Sequence, residues 1–255
     1  MPDVEFRTNQ DLVVSIVISL ACGQIVASAA FGKSFCITVL CALYPDKNIV
    51  IATPGAQLAK DLHKRIKKAF PKEKVGLLGA GGKDIGRVTV TTYHSFHKYP
   101  STKSDIIFID ESHRSSGPMI ANALSRCIRA QKIFGFTASP EGRSDGSEKV
   151  TESLLGPIRL NVPYTESVKQ GLVSEMTVLM LDVLSGPNEK NFKQAVTKQR
   201  NLLWKNIYRN KVIANAVREY TKEGNPLHLD DPQVLILVGL PNILRTWVNC
   251  YQIIH

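Results

Sequence analysis

The stretch Gln24–Ile37, with the sequence QIVASAAFGKSFCI, decides how the rest of this chain is interpreted. A short apolar run leads into small residues and then into Gly32-Lys33-Ser34, which opens a predicted helix. Small residues let consecutive backbone N–H groups turn inward around a phosphate, and the positive end of the helix dipole faces the same point. The pattern is typical of a P-loop, in which Lys33 would reach the phosphates and Ser34 a magnesium ion.

The first stretch alone leaves two interpretations open, since Ala27 stands where a P-loop has glycine and Gly-Lys-Ser can also be a turn entering a helix. A second motif favours the P-loop. Residues Asp110–His113, Asp-Glu-Ser-His, directly follow the apolar run Ile106–Ile109. An apolar strand that ends in paired carboxylates is where a nucleotide-binding sheet places a magnesium ligand and a base that activates water.

The composition predicts a globular chain with an anionic partner. Of the 255 residues 44% are hydrophobic, which is enough to bury a sizeable core. The formal net charge is +10 and the pI about 9.4, which favours a polyanion such as nucleic acid. Charge alone does not identify the partner, because many basic proteins bind no nucleic acid.

The cysteines and histidines predict neither a disulfide framework nor a metal site. The five cysteines are odd in number and contain no Cys-x-x-Cys pair, which indicates buried thiols in a reducing, cytoplasmic compartment. His94 and His97 could share one helix face, yet no cysteine or carboxylate cluster accompanies them. We therefore do not expect them to bind a metal.

The uncharged segment Leu12–Phe31 resembles a secretory or membrane segment, and Ala27–Ala29 within it resembles a signal-peptidase site. Its flanks argue against both, because acidic residues outnumber Arg7 before it and polar residues interrupt it. A buried helix, a turn at Cys22-Gly23 and a buried parallel strand explain the segment better. No membrane association is expected.

Strands alternate with helices along the first 140 or so residues, which predicts a parallel α/β sheet. A first helix begins after a cap at Thr8 or Asn9, and a second runs from the P-loop to about Leu43. The next is predicted to bury one face of four apolar side chains: Leu58, Leu62, Ile66 and Phe70. The predicted strands are 48–53, 74–78, 87–92, 105–110 and 132–136, and further helices are 56–70 and 119–129.

Every candidate site follows the end of a predicted strand, where ligands of such sheets bind. The sites are 27–34, Thr53-Pro54, Thr91-Thr92, Asp110-Glu111 and 137–139. The outer face of the helix 56–70 is basic, which indicates a solvated surface that can also attract phosphate from a distance. Its basic residues are Lys60, Lys64, Arg65, Lys67 and Lys68.

The later part of the chain predicts a second, shorter α/β unit. The first domain is expected over 1–163, with a loop at 141–147, and the linker and partial second domain over 164–255. The second unit should contain strands at 177–183 and 233–238, a linker at 188–193 and a helix at 199–220.

In its order of motifs the chain resembles the superfamily 2 helicases and translocases, in particular the branch of phage UvsW-type DNA helicases and the helicase parts of type I and III restriction enzymes. The resemblance implies a RecA-like P-loop NTPase domain followed by an incomplete second RecA-like domain. Residues 27–34 resemble motif I, with Ala30 in place of the usual glycine. Gln10 resembles the residue that reads adenine, and simple N-terminal capping is the alternative for this segment.

The remaining motifs imply ATP and Mg²⁺ as cofactors. Asp110–His113 resembles motif II of the DEAH kind, 137–139 motif III and 234–238 the strand of motif IV. The implied catalytic residues are Lys33, Asp110, Glu111 and His113. The implied nucleotide contacts are Gln10, Ala30, Phe31, Gly32, Lys33 and Ser34, with Ser34 and Asp110 at the metal.

The resemblance also implies nucleic-acid contacts and a coupling element. Thr53-Pro54 with Gln57 resembles motif Ia, and residues 90–93 resemble motif Ib. With a glycine turn at Gly82, the implied contacts are Thr53, Pro54, Gln57, Gly82, Thr91 and Thr92. Thr91 and Thr92 can equally be ordinary β-branched strand residues. His113 would sense the γ-phosphate and pass its state to motif III, at Thr137, Ala138 and Ser139; a surface residue after a strand is the alternative.

The function implied is an ATP-dependent helicase or translocase that acts on nucleic acid, with DNA preferred over RNA because the relatives named above act on DNA. Motifs V and VI, which carry the arginine finger, have no counterpart before His255. We therefore expect a truncated or interrupted helicase with weak turnover. Two other functions remain open: a non-catalytic, ATP-gated nucleic-acid clamp, and a metabolic P-loop NTPase.

Overall fold

The structure of the protein is a computed structural model that describes residues 5–138, 148–173 and 206–221. Its contacts divide the chain into two compact units, Met1–Glu175 and Met176–His255. The first unit therefore continues past the boundary expected at residue 163. The expected loop at 141–147, linker at 188–193, strands at 177–183 and 233–238, and motif IV lie outside the described residues.

The first unit is built around one sheet of eight strands, in the order β4-β3-β5-β2-β6-β7-β1-β8. All neighbours pair in parallel except β3 and β4, which form a hairpin. The strands are β1 Cys22–Ala27, β2 Ile49–Thr53, β3 Val75–Gly79, β4 Gly82–Lys83, β5 Val88–Thr92, β6 Ile106–Asp110, β7 Lys132–Thr137 and β8 Ile158–Val162.

Helices connect the strands as in a doubly wound α/β domain, which confirms the predicted fold class. In the first unit the helices are α1 Gln10–Ser19, α2 Lys33–Leu43, α3 Ala56–Ala69, α4 Pro118–Ser125, α5 Glu148–Leu155 and α6 Tyr164–Lys169. Short 3₁₀ helices lie at Ala29–Phe31, Tyr93–Lys98, Ser101–Lys103 and Ser112–Arg114. The described part of the second unit is one helix, α7 Ile207–Thr221, which lies within the long helix expected at 199–220 apart from its last residue.

The central strands β2, β5 and β6 form because their β-branched, apolar runs can be buried on both faces. Every residue of β2 and β5 is buried, and so are the first four of β6. Two apolar clusters result, and the larger contains α1, α2 and α3 residues packed against the sheet. The second includes α4 and Leu155 of α5. The buried sheet therefore fixes the starting positions of the loops that follow its strands.

The prediction that α3 buries one apolar face is confirmed, but the inclusion of Leu58 in that face is wrong. Ala59, Leu62 and Ile66 are buried, whereas Leu58 is 45% exposed. The buried stripe follows the spacing i, i+3, i+7 from Ala59, which turns Leu58 toward solvent. All five basic residues of this helix are exposed, as expected for a solvated face.

Several elements differ from the prediction. The helix expected at 119–129 ends at Ser125, and Ile128 beyond it is 86% exposed. The strands β4 and β8 and the helices α5 and α6 were not predicted. β8 lies at an edge of the sheet and only its last residue, Val162, is buried, so its sequence lacks the continuous apolar run of the central strands.

The cysteines of the described residues are free thiols, of which Cys36, Cys41 and Cys127 are buried, while Cys250 lies outside that part of the chain. Burial raises the pKa of Cys36 and of Cys41 to about 12. The described ranges contain no group of three or more His, Cys, Asp or Glu side chains arranged to hold a metal. Within the same ranges every helix is too short or too polar to cross a bilayer.

We predict that Gly135→Ala destabilises the first unit. A Cβ at Gly135 of β7 would lie 2.7 Å from Leu155 Cδ1 and 2.8 Å from Ser112 Cβ, so atoms must shift. Overpacking of this kind costs about 1–3 kcal/mol, or a fall in Tm of roughly 2–9 °C for a unit of this size. Gly117→Ala is the matched control, since no atom lies within 4 Å of its added Cβ. Equal Tm values for both variants in thermal denaturation would contradict this packing.

Candidate active site

The sheet brings the two motifs to one edge. β1, β7 and β6 are neighbours, with Val26 paired to Thr137 and Asp110 paired to Phe136. All three strands run in parallel, so their carboxyl ends lie at the same level. Two strand spacings amount to about 10 Å. The loop after β1 and the carboxylates after β6 therefore face one site of nucleotide-phosphate dimensions.

The loop after β1 is shaped by a 3₁₀ turn and one glycine. The Phe31 amide donates to Ser28 O at 3.2 Å, and the Phe31 side chain is fully buried and so anchors the turn in the core. Gly32 then has φ +93°, and a Cβ there would lie 2.6 Å from Gln10 Nε2. The left-handed backbone favours glycine at this position, and an added Cβ would also displace the Gln10 amide from the loop. Ala30, in the place of the usual glycine, is exposed.

Lys33 opens α2 and is only 6% exposed. Its Nζ donates to the carbonyl oxygens of Ala27 at 2.9 Å and Ser28 at 3.0 Å. Burial lowers the pKa of Lys33, and the charges of Glu111 and Asp110 oppose that effect. The ammonium therefore lies within electrostatic reach of both carboxylates, and the structure brings the two motifs together around it.

Asp110 ends β6 in a site that disfavours its charge. Burial, and then the neighbouring Glu111 carboxylate, raise the pKa of Asp110 to about 6, although Lys33 acts in the opposite direction. Glu111 itself has φ +53° and ψ +48°, a left-handed conformation that few non-glycine residues adopt. Two close carboxylates with one lysine leave local negative charge that a divalent cation would neutralise.

His113 connects this turn to β7. Its Nδ1 lies 2.9 Å from Thr137 Oγ1 and 3.4 Å from Glu111 Oε2. Thr137 is fully buried and Ala138 is half-buried, while Ser139 lies outside the described residues. The contact links His113 to Thr137, the first residue of the segment expected to receive its signal. The coupling itself stays a prediction.

Gln10 is buried against the loop, at 3% exposure. Its Oε1 accepts the Arg7 amide at 3.0 Å, and its Nε2 donates to Phe31 O at 2.7 Å. Asn9 is the N-cap residue of α1, one of the two positions predicted, with φ +66° and no capping bond from its side chain. Adenine recognition by Gln10 stays a prediction. In this structure Gln10 ties α1 to the P-loop.

The threonine hydroxyls that we expected to contact nucleic acid form hydrogen bonds with backbone groups of the same domain. Thr53 Oγ1 donates to Gly55 O at 3.2 Å, and Thr91 Oγ1 donates to Leu78 O at 3.0 Å. Thr92 Oγ1 accepts the Ser95 amide at 3.2 Å. A strand of nucleic acid along this edge would therefore meet mainly backbone groups.

The other expected contacts are more accessible. Pro54 and Gly82 are half-buried, and Gln57 is exposed with its amide donating to Asp61. Gly82 follows a tight turn in which Ala80 and Gly81 both have positive φ, as in a two-residue hairpin. Contacts of all six residues with nucleic acid stay predictions.

Two contacts at the site had no signal in the sequence. Ser28 Oγ donates to Ser167 Oγ at 3.0 Å, so α6 supports the P-loop from outside the predicted domain. The Tyr93 hydroxyl reaches the backbone of Asp110 and Glu111. Both join positions that are distant in sequence, and neither residue type marks such a contact.

Comparisons with known proteins identify the class. The mostly parallel sheet with its flanking helices is that of a RecA-like domain of the helicase type. Residues 9–142, just over half of the chain, match the family described as type III restriction enzyme, res subunit. The chain therefore belongs to that family. No curated protein matches the sequence significantly.

Solved structures show the same fold. The UvsW helicase from bacteriophage T4 is 19% identical with a TM-score of 0.54, covering 62% of this chain and 60% of its own. The Hef helicase domain from Pyrococcus furiosus is 19% identical with a TM-score of 0.52, covering 61% of this chain and 37% of its own. A hypothetical ATP-dependent RNA helicase from Sulfolobus tokodaii is 14% identical with a TM-score of 0.54, covering 63% and 54%. This chain thus spans 60% or less of each relative.

We predict that Asp110→Asn stabilises the nucleotide-free protein in the presence of a chelator. With a pKa of about 6 in the folded state, against an ordinary value of 3.8, Asp110 binds more protons folded than unfolded between these limits. Its contribution to the free energy of unfolding therefore decreases as pH rises from about 4 to about 6.

Above pH 6 the variant should be more stable by on the order of 1–2 kcal/mol, and the difference should shrink toward pH 4. Thermal denaturation across this range measures it. Asp46→Asn, on an exposed loop, is the control. A gain that does not change with pH, or a loss of stability, would contradict the assigned electrostatics.

Proposed function

We propose that this chain is the first motor domain, with part of the second, of an ATP-dependent superfamily 2 helicase or translocase that acts on DNA. One observation carries the proposal: the parallel pairing of β1, β7 and β6 brings the buried Lys33 and the acidic pair Asp110-Glu111 to the same carboxyl edge of the sheet. Membership of the restriction-subunit family supports an ATPase of the helicase type.

The residues at this edge fit a magnesium nucleotide. Hydroxyl and carboxylate oxygens are the ligands that Mg²⁺ prefers, and Ser34 and Asp110 supply one of each. The amides of Lys33 and Ser34 start α2, ahead of the first bonds to Gly32 O, so they can point at an anion. When bound, Mg²⁺ and ATP supply an electrophilic phosphoryl group with neutralised charge.

Each residue then has a separate task. Lys33 exchanges its bonds to the Ala27 and Ser28 carbonyls for phosphate oxygens. Ser34 and Asp110 hold the cation. Glu111 orients the attacking water and accepts its proton, and His113 joins this turn to Thr137.

Nucleic acid would lie along the same edge, at the ends of β2 and β5. Because the threonine hydroxyls there are engaged, contacts would come from backbone groups and exposed side chains such as Gln57. Such contacts position the phosphate backbone without reading the sequence. The exposed basic face of α3 adds long-range attraction, so affinity should fall with salt.

A second candidate is an ATP-gated clamp that binds without turnover. The resting position of Lys33 favours it, since nucleotide binding alone must release this side chain from the loop carbonyls. Such a release can alter the edge of the sheet without hydrolysis.

We predict that ATP turnover by the 255-residue chain is stimulated by single-stranded DNA and abolished by Lys33→Ala and Glu111→Gln. Loss of the general base costs about 10²–10⁴ in rate, and Glu111→Gln should keep ATP binding because the phosphate contacts remain. The matched controls are Lys149→Ala and Glu152→Gln on the exposed face of α5, which should behave as wild type.

Phosphate release with and without DNA, and nucleotide binding by calorimetry, separate the candidates. Binding of ATP and DNA without turnover supports the clamp. Turnover without any DNA binding or stimulation supports a metabolic NTPase and contradicts the motor. Stimulation by RNA but not by DNA would correct the assigned substrate.

A further inference from the structure

Tyr93 ends the segment that resembles motif Ib, and the resemblance gives its side chain no role. Its hydroxyl donates to the carbonyl oxygen of Asp110 at 2.6 Å and to that of Glu111 at 3.1 Å, so one proton is shared between two acceptors. Tyr93 follows β5, and the two acceptors follow β6. Since β2 lies between these strands, the side chain crosses the end of β2.

The register explains why this contact forms. Ala52 of β2 pairs with Thr91 on one side and with Ile109 on the other. The ends of β5 and β6 are therefore level and about 10 Å apart, a gap that an extended tyrosine side chain can bridge from one backbone to the other. The Tyr93 ring packs against the second apolar cluster, which fixes its direction.

The acceptors belong to a strained part of the backbone. Glu111 adopts φ +53°, which costs about 1–2 kcal/mol for a residue with a Cβ. The Glu111 carbonyl also accepts the Arg114 amide at 3.0 Å, which closes the 3₁₀ turn of motif II. Bonds to both carbonyls fix two successive peptide planes, and those planes set the direction of the Glu111 side chain.

The phenol is suited to a permanent donor role. Burial, and then the Asp110 and Glu111 charges, raise the pKa of Tyr93 well above its usual value. The shift favours the protonated phenol, which is the form that donates the two hydrogen bonds.

We propose that Tyr93 is a positioning residue. Its hydrogen bonds to the Asp110 and Glu111 carbonyls hold the Glu111 carboxylate in place for water activation. The inference rests on the proposed function, because it assigns Tyr93 a task in the same hydrolysis. Tyr93 also directly follows Thr91 and Thr92, so its hydrogen bonds connect the predicted nucleic-acid contacts to Glu111, the predicted general base.

Tyr93→Phe tests this positioning role, since it removes one hydroxyl and keeps the ring. We expect kcat for ATP to fall about tenfold, the value of one hydrogen bond lost to a fixed backbone. KM for ATP and the Kd for nucleotide should stay within about twofold of wild type, because the phosphate contacts of the P-loop are untouched. Tyr99→Phe is the matched control: Tyr99 is buried in the same cluster, and across the described residues its hydroxyl contacts neither carbonyl.

A second readout needs no nucleotide. Amide hydrogen exchange measured by NMR should be at least several-fold faster at Arg114 and Ser115 in Tyr93→Phe, and unchanged in Tyr99→Phe, because only the first loosens the turn. Wild-type kcat in Tyr93→Phe, or unchanged exchange at Arg114, would overturn the proposal. A joint change of kcat and KM in both tyrosine variants would show a merely structural role and overturn it as well.

Two outcomes distinguish loss of the positioning role of Tyr93 from loss of the proposed function. If Glu111→Gln is inactive while Tyr93→Phe turns over like wild type, only the positioning role is lost. If no variant and not even the wild type hydrolyses ATP with or without nucleic acid, the proposed function is overturned and the role of Tyr93 falls with it.

Discussion

This site depends on a buried lysine, on whose charge burial and two nearby carboxylates act in opposite directions. Lys33 is almost fully removed from water, which disfavours its charge, and two carboxylates oppose that effect. In the present arrangement its hydrogen bonds go to two loop carbonyls, which neutralise little charge. Asp110 is correspondingly held at a raised pKa. A ligand that carries both phosphate and a divalent cation satisfies the lysine and the carboxylates at once.

The fold imposes this arrangement through parallel pairing. Residues more than 75 positions apart meet because β1, β7 and β6 lie side by side with their carboxyl ends level. Packing then fixes the details. Phe31 anchors the loop in the core, Gln10 presses against Gly32, and Ser167 supports Ser28 from α6. The site is thus stiff on the nucleotide side, where preorganised donors and charges act most strongly.

The turn after β6 is held from two sides. Tyr93 bonds its backbone from the β5 side, and Thr137 contacts His113 from the β7 side. Changes at either neighbouring strand end therefore act on the same few residues. Under the proposed function, this arrangement would let a bound strand of nucleic acid and the nucleotide influence each other without a longer pathway.

Most strands and the position of the candidate site could be predicted from the sequence because they depend on local residue patterns. Apolar runs predicted six of the eight strands, and polar motifs at their ends predicted one ligand-binding edge. The edge strand β8 was missed because its exposed residues lack such a run, and the helical spacing misplaced Leu58. The engagement of Gln10, Thr91 and Tyr93 with distant backbone groups could not be predicted, since such bonds arise only once the chain is folded.

A crystal structure of the chain with Mg²⁺ and a non-hydrolysable ATP analogue would show whether one ligand engages both Lys33 and the acidic pair. We expect Lys33 Nζ to leave the Ala27 and Ser28 carbonyls for the phosphates, with Ser34 and Asp110 at the Mg²⁺ and a water near Glu111. Nucleotide bound elsewhere, or a bound nucleotide with Lys33 still on the two carbonyls, would contradict this expectation.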